Sequence, residues 1–283
     1  MKQKKIALLT GDTSGVGLSI ARALVEQNYF VIFIGSNCTK GKELELEFNR
    51  NILQRAAFFC LDLSKLKDVY SFVNDFKKRY DHLDLLINAA GVVLPNKEIT
   101  ADGFEKTFAI GFLSPFVLSL GLLSHLKKSN GARIVNVSAP ANAVLKQKIN
   151  FKDLIFRESY NGFKASLIAV HAKTVLTEIL AEKFQQFKID VNSFHPGMVR
   201  SNLTRNLSVL FRIISKVISP MMSATSANGI FVSSSPQING ASGNLFVNKK
   251  PIPLNFDNAY KNTLWLNTIE MLAKFKFDIY ENS

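Results

Sequence analysis

The sequence predicts an α/β protein built on a doubly wound parallel sheet of about seven strands, with helices on both faces. Three observations carry that expectation. Short apolar runs recur along the chain with helical segments between them, the pattern of a parallel sheet covered on both sides. A glycine-rich turn stands between the first such run and the first helical segment. Finally, 283 residues, 47% of them hydrophobic, suffice to bury one sizeable core. No Pro/Gly/Ser-rich linker divides them, so one domain over 1–283 is expected.

The first strand is expected at Ile6–Leu9 and the first helix from Leu18, with Ala21, Leu24 and Val25 on its apolar face. Between them lies Thr10-Gly11-Asp12-Thr13-Ser14-Gly15-Val16-Gly17. A strand, a glycine turn and a helix in that order form a phosphate cradle. Gly11 permits the tight turn, Gly15 lets the backbone approach a pyrophosphate, and Gly17 lets helix and strand pack closely. Thr13, Ser14 and Val16 complete the cradle, whose free N–H groups sit at the positive end of the helix. A dinucleotide is the expected ligand.

The second strand, Phe30–Ile34, runs into Gly35-Ser36-Asn37. The third, Ala56–Leu61, leads to Asp62 and Leu63, where Asp62 could accept a hydrogen bond from an adenine amino group or cap a helix. The fourth, Leu83–Asn88, is nearly continuous in apolar character, which suits burial on both sides. It ends in Asn88-Ala89-Ala90-Gly91, small residues that let the backbone lie against a ribose, or that form a plain turn. Arg133–Val137, Ile189–Phe194 and Asn244–Val247 complete the set. The candidate residues fall at carboxyl ends of strands, where open α/β sheets bind ligands.

Composition narrows the partners. The net charge is +13, but Lys and Arg are scattered and no RNA-binding aromatic signature occurs, so no nucleic acid is expected. Cys38 and Cys60 suggest neither a disulfide framework nor a metal cluster, which suits a reducing, intracellular compartment. The apolar run behind the basic N-terminus is too short for a signal peptide, and no run approaches the ~20 residues of a spanning helix. A cytoplasmic protein, free or membrane-associated, is expected rather than a secreted one.

The chain resembles the short-chain dehydrogenase/reductase family over nearly its whole length. The resemblance rests on Thr10–Gly17, Asp62, Leu85–Gly91, Arg133–Ser138 and His195-Pro196-Gly197-Met198-Val199-Arg200-Ser201. Asp102–Phe108 and Tyr160–Phe163 look most like its retinol-dehydrogenase-like branch. The resemblance implies a Rossmann-type fold, a nicotinamide cofactor and alcohol–carbonyl redox chemistry. It also implies that Pro196, Gly197, Val199 and Ser201 receive the nicotinamide carboxamide. After the second strand there is neither an acid for a ribose 2′-OH nor an Arg for a 2′-phosphate. That missing acid, with Lys40 nearby, favours NADP(H) over NAD(H).

The resemblance breaks at the chemistry. The family uses an Asn that holds a relay water, a Ser that orients the substrate oxygen, and a Tyr that moves the proton. A Lys one turn beyond the Tyr lowers its pKa and binds the ribose. An ungapped register into Pro196-Gly197 puts Gly111, Ala139, Ser166 and Val170 at those four positions. A literal Tyr-x-x-x-Lys occurs as Tyr160–Lys164, six residues too early, or ~9 Å along a helix. Its preferred reading is a loop-to-helix entry beside the cleft, and His171 reads as a packed side chain. Between 203 and 220, Leu207, Leu210, Phe211, Ile214, Val217 and Ile218 share one helical face. They suggest an apolar lid before the last strand, suited to a lipophilic small molecule or to peripheral contact with a membrane.

The expected function is a dinucleotide-binding protein of this family that has lost the usual hydride-transfer groups and serves as a ligand-binding module or a partner subunit, with a homodimer allowed. The alternative is an active NAD(P)-dependent oxidoreductase on a lipophilic alcohol or carbonyl, retinoid- or steroid-like, using Tyr160 and Lys164 or unconventional residues. No metal is expected, and a C-terminal helical extension is expected over about 257–276.

Overall fold

The computed structural model describes residues 4–11, 14–50, 54–154, 159–197, 223, 225–273 and 275. Its strands are β1 (Ile6–Thr10), β2 (Phe30–Gly35), β3 (Ala56–Cys60), β4 (Leu85–Asn88), β5 (Arg133–Val137), β6 (Asp190–Phe194), β7 (Asn244–Val247) and β8 (Lys250–Pro253). They form one sheet in the order β3-β2-β1-β4-β5-β6-β7-β8. Neighbours are parallel except β7 and β8. The chain winds outward from β1 to β3, then crosses back to place β4 on the other side of β1. That reversal opens a crevice at the carboxyl ends of β1 and β4.

The eighth strand departs from the expected seven. Lys250-Pro251-Ile252-Pro253 carries two prolines, which supply no N–H to a ladder and so read poorly as a strand. At the sheet edge that loss is tolerated. Asn248 and Lys249, both at positive φ (50° and 64°), form the two-residue turn that folds it back on β7.

Alternating side chains of the central strands feed two cores. Leu8, Leu86, Ile134 and Val191 pack on one face, and Ala7, Leu9, Ile87 and Val135 on the other. Helices α1 (Gly15–Glu26) and α2 (Cys38–Phe48) contribute Ile20, Leu24 and Leu44 to the second face. On the first face α3 (Leu66–Arg79) buries Leu66, Val69, Phe72, Val73 and Phe76 at i, i+3, i+4 spacing. Beside it α4 runs over residues 106–121 as Lys106–Phe108, a π turn at Ala109–Leu113, and Ser114–Gly121. The central helix of that face is α5 (Gly162–Phe184), capped by Asn161, whose Oδ1 accepts from the Lys164 N–H at 3.0 Å. Helix α6 (Ala227–Ser234) packs near α1, and α7 (Asn258–Ala273) lies along α5 where the C-terminal extension was expected. The lid expected over 203–220 lies outside the described residues.

The cysteines overturn an expectation. Cys38 and Cys60 are joined in a disulfide, with their Cα atoms 5.1 Å apart. Sheet register explains the pairing: Gly35 of β2 lies opposite Cys60 of β3, and α2 begins three residues after Gly35. A contact set by strand pairing is not visible in a cysteine count.

Candidate functional site

The carboxyl ends of β1 and β4 are tied together by a single hydroxyl. Thr10 Oγ1 accepts the backbone N–H groups of Ala89 and Ala90 at 3.1 and 3.2 Å. Gly11 then turns at φ +72°, and a Cβ there would lie 2.5 Å from Ala90 Cα. Only glycine lets these two loops meet. The bare backbone of Ala89-Ala90-Gly91 thus borders the glycine turn and the start of α1, which Ser14 and Gly15 open with Gly17 buried behind. Thr13 lies outside the described residues. Half-buried Val16 packs against the second core.

Further out, Ser36 and Asn37 are exposed in the turn after β2, and Asn37 Oδ1 caps α2 by accepting from the Lys40 N–H at 3.1 Å. Asp62 Oδ1 accepts from the Ser64 N–H at 2.9 Å, a local turn closure, while Leu63 is buried in the core. The first turn of α3 is capped from elsewhere: Asp102 Oδ2 accepts the Leu66 N–H at 2.8 Å. Pro196 and Gly197 follow β6 at the same sheet edge. Val199 and Ser201 lie outside the described residues. Cofactor candidates from five strand ends therefore lie along one edge, from Asp62 beyond β3 on one side to Gly197 beyond β6 on the other.

The side chain of Asn88 turns inward. Its Nδ2 donates to Asn136 Oδ1 at 2.8 Å, and Asn136 Nδ2 donates to Thr177 Oγ1 at 2.9 Å. Ser193 Oγ joins that Thr177 hydroxyl at 2.9 Å. The polar strand ends are thereby stitched to α5. Lys173, fully buried on α5, reaches across to donate from Nζ to the Asn88 carbonyl at 3.2 Å. No carboxylate pairs with it among the described residues, and burial pushes its pKa down to about 7. Sequence reasoning missed this residue. Its signal was a lysine in step with Ala165, Ala169, Leu176 and Leu180 on the buried face of α5.

Of the four positions at which the family's catalytic groups were expected, Ala139 and Val170 sit in apolar surroundings. Ala139 and Val170 belong to one cluster with Val144, Leu245 and Leu254. The neighbouring Ser138 is buried, with Oγ 2.8 Å from Thr174 Oγ1, which itself donates to the Val170 carbonyl. Ser166 is half-buried on α5. Gly111 lies within the π turn, and a Cβ on it would approach Ala169 Cβ to 2.9 Å.

Tyr160 and Lys164 do not share a helix. Tyr160 precedes the cap Asn161, whereas Lys164 lies in the exposed first turn of α5. The Tyr160 hydroxyl is 3.4 Å from both Thr107 Oγ1 and Glu105 Oε1. Burial and the Glu105 charge push its pKa up, despite the Thr107 hydrogen bond. Glu105 itself caps α4, accepting from the Thr107 and Phe108 N–H groups at 2.9 and 2.7 Å. His171 is packed: Nδ1 donates to the Val144 carbonyl at 2.8 Å, so Nε2 accepts from the Tyr260 hydroxyl at 2.8 Å. Among the described residues no group of His, Cys, Asp or Glu could hold a metal ion, and no helix is long and apolar enough to cross a membrane.

Comparison with known proteins agrees with this architecture. Residues 5–209 match the family model described as short chain dehydrogenase. Human polyprenol dehydrogenase is 28% identical, over 94% of this chain and 84% of its own length. Human retinol dehydrogenase 14 is 30% identical, over 92% of this chain and 84% of its own. Among solved structures, the RhlG/NADP active-site complex of Pseudomonas aeruginosa superposes with a TM-score of 0.65 at 21% identity, covering 91% of this chain and 96% of that one. A crystal structure of an uncharacterized protein from Mycobacterium paratuberculosis reaches 0.71 at 22% identity, covering 95% and 93%.

Proposed function

The chain belongs to the short-chain dehydrogenase family of NAD(P)-binding oxidoreductases, and from that premise we propose that it binds a nicotinamide dinucleotide without running the family's usual proton relay. The observation that carries the reading is the apolar cluster holding Ala139 and Val170. Proton transfer by a positioned acid or base contributes about 10²–10⁴-fold to such reactions. An alanine and a valine in an apolar cluster can donate or accept no proton, and Ser138 is engaged with Thr174. Nor does Tyr160 suit the task, because its surroundings raise its pKa and no lysine stands one turn behind it on a helix.

The cofactor half supports binding. The glycine turn, the side-chain-poor Ala89–Gly91 segment and the Pro196-Gly197 turn all lie at the carboxyl ends of the strands, where a doubly wound sheet takes a dinucleotide, with its pyrophosphate at the start of α1. The turn at Ser36 and Asn37 holds no acid, which favours NADP(H) over NAD(H). The chain acts in this reading as a ligand-binding or partner subunit over one domain, with a lipophilic ligand and peripheral membrane contact carried by residues 203–220. A second reading, an active oxidoreductase on a lipophilic alcohol or carbonyl using Tyr160 and Lys164, is favoured by the names of the relatives.

Two measurements on the full chain separate them. A dinucleotide at 100-fold excess over its Kd stabilises the native state by about 2.7 kcal/mol, read as a thermal shift. Gly15→Asp should abolish the shift by setting a carboxylate against the pyrophosphate. Turnover of retinoid, steroid and polyprenol substrates should stay at background. Turnover that is robust and disappears with Tyr160→Phe would install the second reading, and the absence of a shift with either cofactor would remove both.

A further inference from the structure

Cys38 and Cys60 are the only two cysteines of the chain, and the fold joins them at one point on its surface. Both are exposed. Cys60 is the last residue of β3, an outer strand of the sheet whose only sheet neighbour among the described residues is β2. Cys38 is the first residue of α2, directly after the capping Asn37. The bond therefore fastens the turn carrying Ser36 and Asn37 to the strand end that leads into Asp62 and Leu63. Strand pairing of Gly35 with Cys60, the Leu61 N–H to Gly35 carbonyl bond at 3.0 Å and buried Leu63 anchor this corner from behind, while the exposed Ser36 and Asn37 turn and Asp62 are held by local bonds, Asn37 to Lys40 and Asp62 to Ser64.

We propose that the Cys38–Cys60 pair is a thiol–disulfide modification site that sets the affinity of the adenosine end of the crevice, tighter when bonded and weaker when reduced. The proposal rests on the dinucleotide reading above. A dithiol reductant delivers two electrons and two protons: the Cys38–Cys60 bond breaks to two thiols while the reductant closes its own disulfide. Reoxidation by a disulfide runs the same exchange backward. With the bond in place, the turn and the strand end reach the ligand already ordered. Without it, the ligand must order them on binding, and such pre-organisation is worth about three- to tenfold in affinity.

The test uses the full chain, oxidised or treated with dithiothreitol, with the free thiols counted in each state. NADPH and NADH are titrated into both. A Kd about three- to tenfold higher in the reduced chain is expected. The Cys38→Ser/Cys60→Ser variant should bind like the reduced form and ignore the reductant. Equal affinities in the two redox states would overturn the switch while leaving the cofactor reading intact. So would a chain that keeps two free thiols under a mild disulfide oxidant. Should the double variant fail to fold, the redox titration of the natural chain decides alone, with its melting curve showing that reduction leaves the fold in place. No binding in either state would overturn the dinucleotide reading and this proposal together.

Discussion

Lys261 of α7 is buried against Glu178 of α5, Nζ to Oε1 at 3.0 Å, and the same amine donates to Glu182. Burial works against the ammonium, but its bonds to Glu182 and Glu178 outweigh that cost and its pKa ends above the usual value. Removing one partner of a buried pair leaves the other charge uncompensated. Lys261→Met should therefore cost about 3 kcal/mol, read from the midpoint of urea unfolding. Adding Glu178→Gln, which keeps an acceptor for the Phe256 N–H at this site, should recover part of the loss. A neutral single variant would mean that α7 is held to α5 by its apolar contacts alone.

Lys173 should make the stability of the ligand-free chain rise with pH. Its pKa is about 7 in the folded protein and about 10.4 when unfolded. Between those values the unfolded chain binds the extra proton, so stability increases as pH rises, by no more than about 1.4 kcal/mol per pH unit. Lys173→Met should flatten the profile between pH 7 and 10 and raise stability at pH 7, where about half of the natural side chains still carry the buried charge. A variant whose pH profile parallels that of the natural chain would show that Lys173 keeps its proton when folded.

His171 acts in the same direction, in a lower pH window. Burial holds its pKa below the ordinary histidine value, against the hydrogen bond to the Val144 carbonyl, and the neutral ring accepts from Tyr260 at Nε2. Its contribution is present above pH ~6.5 and is lost as pH falls through that value toward the folded pKa. Tyr260→Phe should weaken this preference and shift the acid limb of the unfolding curve to lower pH. An unchanged limb would assign acid sensitivity to other groups.

Restoring chemistry tests the aligned positions directly. Ser166→Tyr with Val170→Lys and Ala139→Ser should create measurable NADPH oxidation if the dinucleotide is still correctly posed. Because such residues act as a unit, each restoration alone should do little. A single change that restores activity by itself would show that the register through α5 is misplaced.

Much of this was readable in the chain. The central strands are apolar on both faces, so their runs stand out, and the glycine turn announces the crevice because its chemistry is local. What stayed hidden depends on contacts between distant residues. Lys173 is conspicuous only once the buried face of α5 is known, since its partner is a carbonyl 85 positions away. Cys38 and Cys60 meet through strand register, and β8 is masked by two prolines that its edge position excuses. The caps by Asp102 and Glu105 were likewise invisible, because an acidic side chain in a loop carries no mark of the N–H it will accept.

The close approach of Gly111 to Ala169 constrains the order in which this protein could change. Any side chain at 111 puts its first carbon 2.9 Å from the Ala169 methyl, tighter than packed carbons normally sit. An asparagine there would strain α4 against α5 unless position 169 had first become glycine, and a glycine within a helix costs about 1 kcal/mol on its own. A path from glycine to asparagine at 111 therefore passes through a less stable intermediate that gains nothing until the second step. Selection would resist that first step, so a glycine at 111, however it arose, works as a ratchet: ordinary packing keeps it there with no help from function.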